Sequence, residues 1–322
     1  MINNNVKIGF LFSGQGSHYR KMGQKLFENN NVFKQSLITS DSIIQKNIDR
    51  SLIYELYKET NPTFDDLLIT HPAIVAIEIA MYTVMEDLGV FPDYVCGNSL
   101  GEFAAGVASG IWDARSALEA SIEQAKSIVR ENTEGGMITV FREGISKLNK
   151  LYTKHNLYLA SSNFSGHNTF SGLKHDIEAF KRELKKLNLN HVQLPVNYPF
   201  HSPLIKNAKH GFDYFMSHNI SLSTPRCNYY SGADGRQLSE FGREYFWDVI
   251  SRYNNISKTV ESIESNGEGI YIDLGPSGTM ATFVQYNINK SSKSKVFKIM
   301  TPFQQEEIQL ERFINEYKIN TT

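Results

Sequence analysis

The segment that decides the fold runs from Asp93 to Gly106 and reads Asp-Tyr-Val-Cys-Gly-Asn-Ser-Leu-Gly-Glu-Phe-Ala-Ala-Gly. Its apolar residues Tyr94–Cys96 predict a short strand, and the residues after Gly101 predict a helix. A Gly-x-Ser-x-Gly turn between a strand and a helix is typical of the nucleophile elbow, which lifts the serine hydroxyl to the helix N-terminus. The segment therefore predicts an α/β fold in which Ser99 is a nucleophile.

The composition is that of an ordinary soluble enzyme. The chain has 322 residues, of which 41% are hydrophobic and 21% charged, and its net charge is −1 without a block of like charges. Nothing indicates nucleic acid or a membrane as a partner. The two cysteines, Cys96 and Cys227, form no metal or disulfide pattern, and no motif for a cofactor or a metal occurs. Without a signal-peptide pattern or an apolar run of membrane-spanning length, we expect a cytoplasmic enzyme.

Two further segments belong to the same α/β core. The apolar run Val6–Phe12 predicts a buried strand, and the glycine-flanked loop that follows it is typical of ligand-binding loops in α/β folds. Thr70-His71-Pro72 predicts the start of a helix over Ala73–Leu88, because proline is favoured near the first turn. This places His71 at the mouth of the helix, where it either caps the helix or lines a site.

The pattern changes at Gly135-Gly136. From residue 135 to residue 196 the sequence predicts strand, helix, strand, strand, helix and strand, which is the order of the ferredoxin-like unit. The larger domain resumes after this unit. We therefore predict one domain formed by residues 1–134 and 197–322, with residues 135–196 as an inserted ferredoxin-like subdomain.

A nucleophilic serine needs a base, and the chain offers nine histidines. In ordinary α/β-hydrolases the histidine lies late in the chain, but here no histidine follows His218. His201 is the best candidate, because it follows a proline-containing turn where the chain re-enters the larger domain. The alternative is that His201 is a hydrogen-bonded loop residue.

Five motifs occur in one order along the chain. They are Phe12-Ser13-Gly14-Gln15-Gly16-Ser17, Thr70-His71-Pro72-Ala73, Gly97-Asn98-Ser99-Leu100-Gly101-Glu102, Phe200-His201-Ser202-Pro203 and Asp273-Leu274-Gly275-Pro276. In this set the chain resembles the malonyl-CoA:acyl-carrier-protein transacylase family, which includes the acyltransferases of polyketide synthases. The resemblance covers nearly the whole chain. It implies an α/β-hydrolase-like core with an inserted ferredoxin-like subdomain.

The resemblance also implies the roles of particular residues. It makes Ser99 the nucleophile and His201 the base, and it places the oxyanion hole at the backbone amides of Gln15 and Leu100. A backbone carbonyl near Val249–Ser251 would orient the histidine, so Asp273 becomes structural. The implied partner is an acyl carrier protein with an acyl group on its phosphopantetheine arm, and acyl-CoA is a second donor.

The chain departs from the family pattern at three positions. Asn98 stands where the family usually has histidine, His71 where it has glutamine, and Gln124 where malonyl-specific members have an arginine. That arginine binds the free carboxylate of the malonyl group as a bidentate pair, which a neutral glutamine cannot form. Phe200 resembles the bulky residue of malonyl-type members. We predict that all four of these residues contact the substrate.

Three functions follow from these residues. Loss of the arginine resembles the free-standing acyltransferase-like acyl hydrolases of trans-acyltransferase polyketide synthases, which clear stalled carrier proteins by hydrolysis. The alternative is an acyltransferase that moves malonyl or an uncarboxylated acyl unit from CoA to a carrier protein. A non-enzymatic scaffold that docks carrier protein is the third, but Ser99 and His201 are both present. Hydrolysis and transfer share one acyl-enzyme, so the sequence leaves them open.

Overall fold

The secondary structure alternates between strands and helices. The structure is a computed structural model that describes residues 6–319, and these residues form ten strands and thirteen α-helices. The strands are β1 (Lys7–Phe12), β2 (Tyr94–Gly97), β3 (Gly135–Phe141), β4 (Tyr158–Phe164), β5 (His167–Leu173), β6 (His191–Gln193), β7 (Asn228–Tyr230), β8 (Gln237–Leu238), β9 (Gly269–Asp273) and β10 (Lys295–Lys298).

The helices lie between and around these strands. They are α1 (Gln24–Asn29), α2 (Asn31–Ile48), α3 (Leu52–Tyr57), α4 (Leu67–Asp87), α5 (Gly101–Ala108), α6 (Ala114–Glu131), α7 (Ile145–Lys154), α8 (Lys174–Lys186), α9 (Lys209–Asn219), α10 (Tyr245–Ser251), α11 (Ile256–Glu264), α12 (Thr279–Asn287) and α13 (Glu306–Ile319). A 3-10 helix, Pro203–Ala208, directly precedes α9.

The larger sheet has six strands in the order β10-β9-β1-β2-β7-β8, all parallel except for β8. Its central strands are buried on both faces, which explains their continuous apolar sequence. In the register of β1 and β2, Phe12 pairs with Gly97, so these two strands end side by side. The loop after β1 and the turn after β2 therefore meet at the carboxyl edge of the sheet, where α/β folds place their sites.

The smaller sheet has four antiparallel strands in the order β4-β5-β3-β6. Alternate residues of β3 face opposite sides. Ile138 and Val140 pack with Phe170 and Phe180 in the core beneath α7 and α8. The other face of the sheet lines a cavity. The element order and strand order are those of a ferredoxin-like unit, so the predicted fold class, an α/β-hydrolase-like core with this inserted unit, is confirmed.

Backbone hydrogen bonds join the smaller sheet to the segments around Asn197 and Asn254. Gly135 N donates to Asn197 O (3.0 Å), and Asn254 bonds through its N–H and its carbonyl to β4. The smaller sheet runs from residue 135 to residue 193. The domain boundaries at 134/135 and 196/197 stay predictions.

Helix α4 begins earlier than the sequence predicted. It starts at Leu67, where Asp66 Oδ1 accepts a hydrogen bond from Leu68 N (3.1 Å), and Pro72 lies inside it. Pro72 has no backbone N–H, so the helix lacks one hydrogen bond at this position. Nearly every neighbouring side chain of the helix is buried, and this packing outweighs the lost hydrogen bond. His71 is therefore a fully buried residue within the helix and not a residue at its mouth.

The same helix corrects the expectation that no apolar run is long enough to cross a membrane. Helix α4 has 21 residues, and its most apolar window has a mean hydropathy of 1.7, which meets that length and composition. However, 83% of its most apolar window is buried inside the protein. The helix predicted from the sequence, Ala73–Leu88, lacks the first six residues of α4. The burial makes α4 a central core helix.

Candidate active site

The turn from Gly97 to Gly101 joins β2 to α5 and has the strand–turn–helix geometry of an elbow. Ser99 has a φ of 56°, in the left-handed region that costs a non-glycine residue about 1–2 kcal/mol. A Cβ on Gly97 would lie 2.4 Å from a backbone nitrogen of α5, and one on Gly101 would lie 2.3 Å from the carbonyl oxygen of Phe12. Close backbone packing therefore holds the turn that presents Ser99.

His201 lies directly against the serine. Its Nε2 is 2.9 Å from Ser99 Oγ, and its Nδ1 is 2.7 Å from the carbonyl oxygen of Arg252. A carbonyl oxygen only accepts, so Nδ1 carries the proton and Nε2 is the acceptor that faces the serine hydroxyl. The backbone of His201 is also left-handed, with a φ of 55°, and its N–H donates to Ile250 O (2.7 Å). This geometry allows the imidazole to take a proton from Ser99.

The carbonyl that orients His201 lies one residue beyond the predicted stretch Val249–Ser251. Arg252 follows the last residue of α10 and has an extended conformation, with φ −97° and ψ 161°. Its carbonyl therefore leaves the direction of the helix axis and reaches the imidazole, whereas carbonyls inside the helix are aligned along it. The position was missed because it depends on where the helix ends.

The surroundings keep the imidazole neutral. Burial lowers the pKa of His201 to about 4, and the hydrogen bond to Arg252 opposes that shift. Both ring nitrogens are occupied, which leaves none for an acidic partner. Asp273 instead accepts hydrogen bonds from Gly275 N and Ala281 N (2.8 Å each) and binds the start of α12. Asp273 therefore has the expected structural role, because it fixes the backbone around the start of α12.

The loop after β1 packs onto the elbow. A Cβ on Gly14 would lie 2.5 Å from the carbonyl oxygen of Asn98 and 3.4 Å from Leu100 N, so only glycine fits there. Gln15 follows in a tight turn, and its Nε2 donates to Thr70 Oγ1 (2.9 Å). Within residues 6–319, the N–H groups of Gln15 and Leu100 donate to no protein acceptor. The predicted oxyanion hole at these two amides is compatible with this arrangement and stays a proposal.

Gln124 and His71 form a buried, hydrogen-bonded pair. His71 Nε2 donates to Gln124 Oε1 (3.1 Å), and Gln124 Nε2 donates to Phe246 O (2.8 Å). Both side chains are fully buried, and burial lowers the pKa of His71 to about 4, so the pair is uncharged. The ring of His71 stacks on Phe200 with 5.8 Å between centroids.

Only one residue of this cluster faces the cavity beside Ser99. Phe200 lines that cavity, whereas His71 and Gln124 are not among its lining residues. The hydrogen bonds of Gln124 to His71 and to Phe246 hold its side chain within the core. Direct contact of His71 and Gln124 with the substrate gains no support from this lining and stays a prediction.

Asn98, the fourth residue predicted to contact the substrate, does line the cavity. Its Oδ1 accepts a hydrogen bond from Asn254 Nδ2 (2.8 Å). Asn254 is buried, lies two residues after Arg252 and was missed in the sequence, since it belongs to no motif. The elbow is thus connected to the loop that holds His201.

A cavity of about 240 Å³ lies between the two sheets. Its floor is the elbow and the loop after β1, and its far wall is the open face of the smaller sheet. The residues around it are Gly14, Gln15, Gly16, Ser17, Asn98, Ser99, Met137, Thr139, Phe141, Ser161, Asn163, His167, Thr169, Val192, Leu194, Phe200, His201, Asn254, Thr279 and Phe283. None of these lining residues is a lysine, arginine, aspartate or glutamate. Burial also lowers the pKa of His167.

The fold and this site define a class. An α/β-hydrolase-like core with a ferredoxin-like insert, a serine at an elbow and a histidine held by a backbone carbonyl is the arrangement of an acyltransferase domain. The family model of the acyl transferase domain matches residues 9–321, and the chain belongs to this family.

Relatives and solved structures agree with this assignment. The chain is 34% identical over 312 residues to the polyketide biosynthesis acyltransferase homolog BaeD of Bacillus velezensis, with 96% of each chain covered. It is 36% identical over 310 residues to the polyketide biosynthesis acyltransferase homolog PksD of Bacillus subtilis, with 94% of each covered.

Two solved structures show the same fold. A loading acyltransferase from the avermectin modular polyketide synthase has a TM-score of 0.87 at 19% identity, covering 97% of this chain and 99% of that one. The malonyl CoA-acyl carrier protein transacylase of Clostridium perfringens has a TM-score of 0.82 at 22% identity, covering 98% of this chain and 100% of that one.

The neutral His201 gives a testable pH dependence. With His201 as the base, we expect kcat/KM for acylation of Ser99 to fall through an apparent pKa near 4, and not near the usual 6.5. The reason is that burial disfavours the protonated ring, so the acceptor nitrogen persists in mildly acidic solution. The measurement is the rate of acyl-enzyme formation at low substrate as a function of pH.

This pH profile needs a control for unfolding, because the protein also loses stability as the pH falls. A histidine whose folded pKa is lowered stabilises the protein above pH 6.5, and that contribution is lost as the pH falls towards 4. Circular dichroism at each pH therefore has to show a native protein. A limb near 6.5 in native protein would contradict the buried, neutral base.

Proposed function

We propose that this protein is a serine enzyme of polyketide biosynthesis that removes uncharged acyl groups from acyl-carrier-protein thioesters by hydrolysis. The acyl group passes from the phosphopantetheine thiol to Ser99 and then to water. This activity clears carrier proteins that hold an acyl group which the assembly line does not extend.

The observation that carries the proposal is the absence of full charge among the residues around the cavity. A malonyl group carries a carboxylate, and a buried carboxylate without a cation is strongly disfavoured. The position of the carboxylate-binding arginine is occupied by Gln124, whose side-chain amide is already bonded at both ends. The apolar wall formed by Met137, Phe141 and Leu194 suits an uncharged acyl chain instead.

Acylation follows from the hydrogen bonds at the elbow. His201 Nε2 takes the proton of Ser99 Oγ as the oxygen attacks the thioester carbonyl carbon. The backbone N–H groups of Gln15 and Leu100, which donate to no protein acceptor within residues 6–319, would bind the oxygen that becomes negative. The proton then passes from Nε2 to the pantetheine sulfur, the carbon–sulfur bond breaks, and the thiol leaves an acyl-Ser99 ester.

Deacylation uses the same groups in reverse. Water occupies the place that the sulfur has left, since its proton also has to reach His201 Nε2. The water oxygen bonds to the acyl carbon while one of its protons goes to His201 Nε2. The bond between that carbon and Ser99 Oγ then breaks, Oγ takes the proton from Nε2, and the carboxylic acid leaves. In acyl transfer, a thiol on a second carrier protein or CoA would take the place of water.

The relatives support the wider setting of the proposal. The chain aligns over nearly the full length of two proteins that are named acyltransferase homologs of polyketide biosynthesis. The choice of hydrolysis over transfer rests on glutamine at position 124, where malonyl-specific members have an arginine, which resembles the free-standing acyl hydrolases. Transfer of an uncarboxylated acyl unit is the second candidate, because the uncharged cavity suits it equally well.

The first test is hydrolysis of butyryl-carrier protein. We expect the wild-type protein to release free carrier thiol and butyrate, and Ser99→Ala to lower that rate by roughly 10³-fold or more. The exposed Ser146→Ala is the matched control and should behave as the wild type. The measurement is intact-protein mass spectrometry of the carrier.

Two results would count against hydrolysis by Ser99. Quantitative movement of butyryl groups to a second carrier protein would support transfer. Activity retained in Ser99→Ala would show that another residue carries the chemistry.

The second test concerns acyl selection. Gln124→Arg alone places a cation beside neutral His71 in the core, so we expect the free energy of unfolding to fall by about 3 kcal/mol or more. Combined with His71→Gln, the arginine gains an amide partner, and the imidazole that stacks on Phe200 is removed, so we expect the guanidinium to reach a malonyl carboxylate in the cavity. The ratio of malonyl to butyryl acylation rates should then rise at least about tenfold, because a guanidinium–carboxylate pair forms.

His71→Gln alone is the matched control for this double variant. It restores the amide without the cation, so its malonyl-to-butyryl ratio should stay close to that of the wild type. If the folded double variant keeps the wild-type ratio of malonyl to butyryl acylation rates, the residue at position 124 does not determine acyl selection.

A further inference from the structure

Asn254 has one side-chain atom that the protein leaves without a partner. Its backbone N–H donates to Ala160 O (2.9 Å), and its carbonyl accepts from Ser162 N (3.0 Å). Its Nδ2 donates to Asn98 Oδ1 (2.8 Å). The side-chain oxygen Oδ1 is buried and has no protein hydrogen-bond partner.

The position of Asn254 connects both reacting residues. It contacts the residue that precedes Ser99, and it lies two residues after Arg252, whose carbonyl binds His201 Nδ1. Asn254, Ser99 and His201 all line the same cavity. Asn254 is only 1% exposed, and a buried amide oxygen without a donor is costly, so this oxygen is matched to a ligand that brings an N–H or an O–H.

We propose that Asn254 Oδ1 accepts a hydrogen bond from the water that hydrolyses the acyl-Ser99 ester. This inference rests on the proposed hydrolysis and names a further catalytic residue for it. The attacking water has two O–H bonds. One proton goes to His201 Nε2 and then to Ser99 Oγ, and the other stays on the new carboxylic acid while it is donated to Asn254.

A thiol differs from water in this respect. Its single proton goes to His201, and no second hydrogen is left for Asn254. Asn254 therefore favours hydrolysis over thiolysis of the same acyl-enzyme. This one residue would direct the acyl-Ser99 ester towards hydrolysis in a fold that otherwise supports acyl transfer.

The test is the partition of the butyryl-Ser99 enzyme between water and an added small thiol, N-acetylcysteamine. In Asn254→Ala we expect hydrolysis to slow roughly tenfold or more, while thiolysis changes much less, so that the ratio of butyrate to butyryl thioester falls by a similar factor. The acyl-enzyme should also accumulate in the absence of thiol. Both are measured by mass spectrometry of protein and products.

Two further variants distinguish an effect of Asn254 Oδ1 from an effect of the neighbouring residues. Asn98→Ala removes the partner of Nδ2 but leaves Oδ1, so it should disturb hydrolysis and thiolysis by the same factor. Asn255→Ser is the matched control on the same loop, because its side chain caps α11 and does not line the cavity. It should retain the wild-type ratio.

The outcomes are distinct. An unchanged partition ratio in Asn254→Ala, with a wild-type enzyme that hydrolyses, overturns the role of Asn254 alone. If Asn254→Ala instead raises KM for pantetheine thioesters and leaves the ratio of hydrolysis to thiolysis unchanged, Asn254 Oδ1 binds a pantetheine amide. That result also overturns its proposed role toward water. A wild-type enzyme that performs thiolysis without hydrolysis overturns the proposed function and this inference together.

Discussion

The hydrogen bond between Ser99 Oγ and His201 Nε2 is the contact on which the rest of the site depends. It joins segments 102 residues apart, and both residues have a left-handed backbone. Such conformations are unfavourable for residues with a side chain, so the surroundings have to hold them. Gly14 and the elbow glycines hold Ser99 by close packing, while two carbonyls at the end of α10 hold His201. The surrounding backbone therefore holds two strained residues so that Ser99 Oγ and His201 Nε2 lie 2.9 Å apart.

The second constraint is the lack of charge. The histidine is oriented by a carbonyl and not by a carboxylate, so no negative charge lies beside the imidazole. His71, which stacks on Phe200, and Gln124 are hydrogen-bonded to each other as neutral groups in the core. An uncharged cavity next to a neutral imidazole is consistent with a substrate that carries no charge near its thioester.

The sequence predicted the parts of this arrangement that depend on local pattern. The glycines around Ser99 and the alternation of strands and helices in 135–196 are visible in the residues themselves, and the fold class followed from them. Geometry between distant segments was not visible. Arg252 was missed by one residue because the carbonyl depends on where α10 ends. Gln124 and His71 were each noted as departures, but their pairing across 53 residues needs the fold.

Two other differences have similar causes. Packing carried α4 through Pro72, whereas local preference predicted a start at Ala73. Strands β7 and β8 have three and two residues, too few for a periodic signal, and no sequence motif marks the loop that carries Asn254.

The central claim is that water, and not a thiol, resolves the acyl-enzyme. The most direct measurement is a single turnover of isolated butyryl-Ser99 enzyme in ¹⁸O-labelled water with excess carrier protein that bears a free phosphopantetheine thiol. The account predicts that most of the butyryl group appears as butyrate with one ¹⁸O atom, while the carrier stays free. Recovery of the butyryl group mainly as a thioester on the carrier would contradict it.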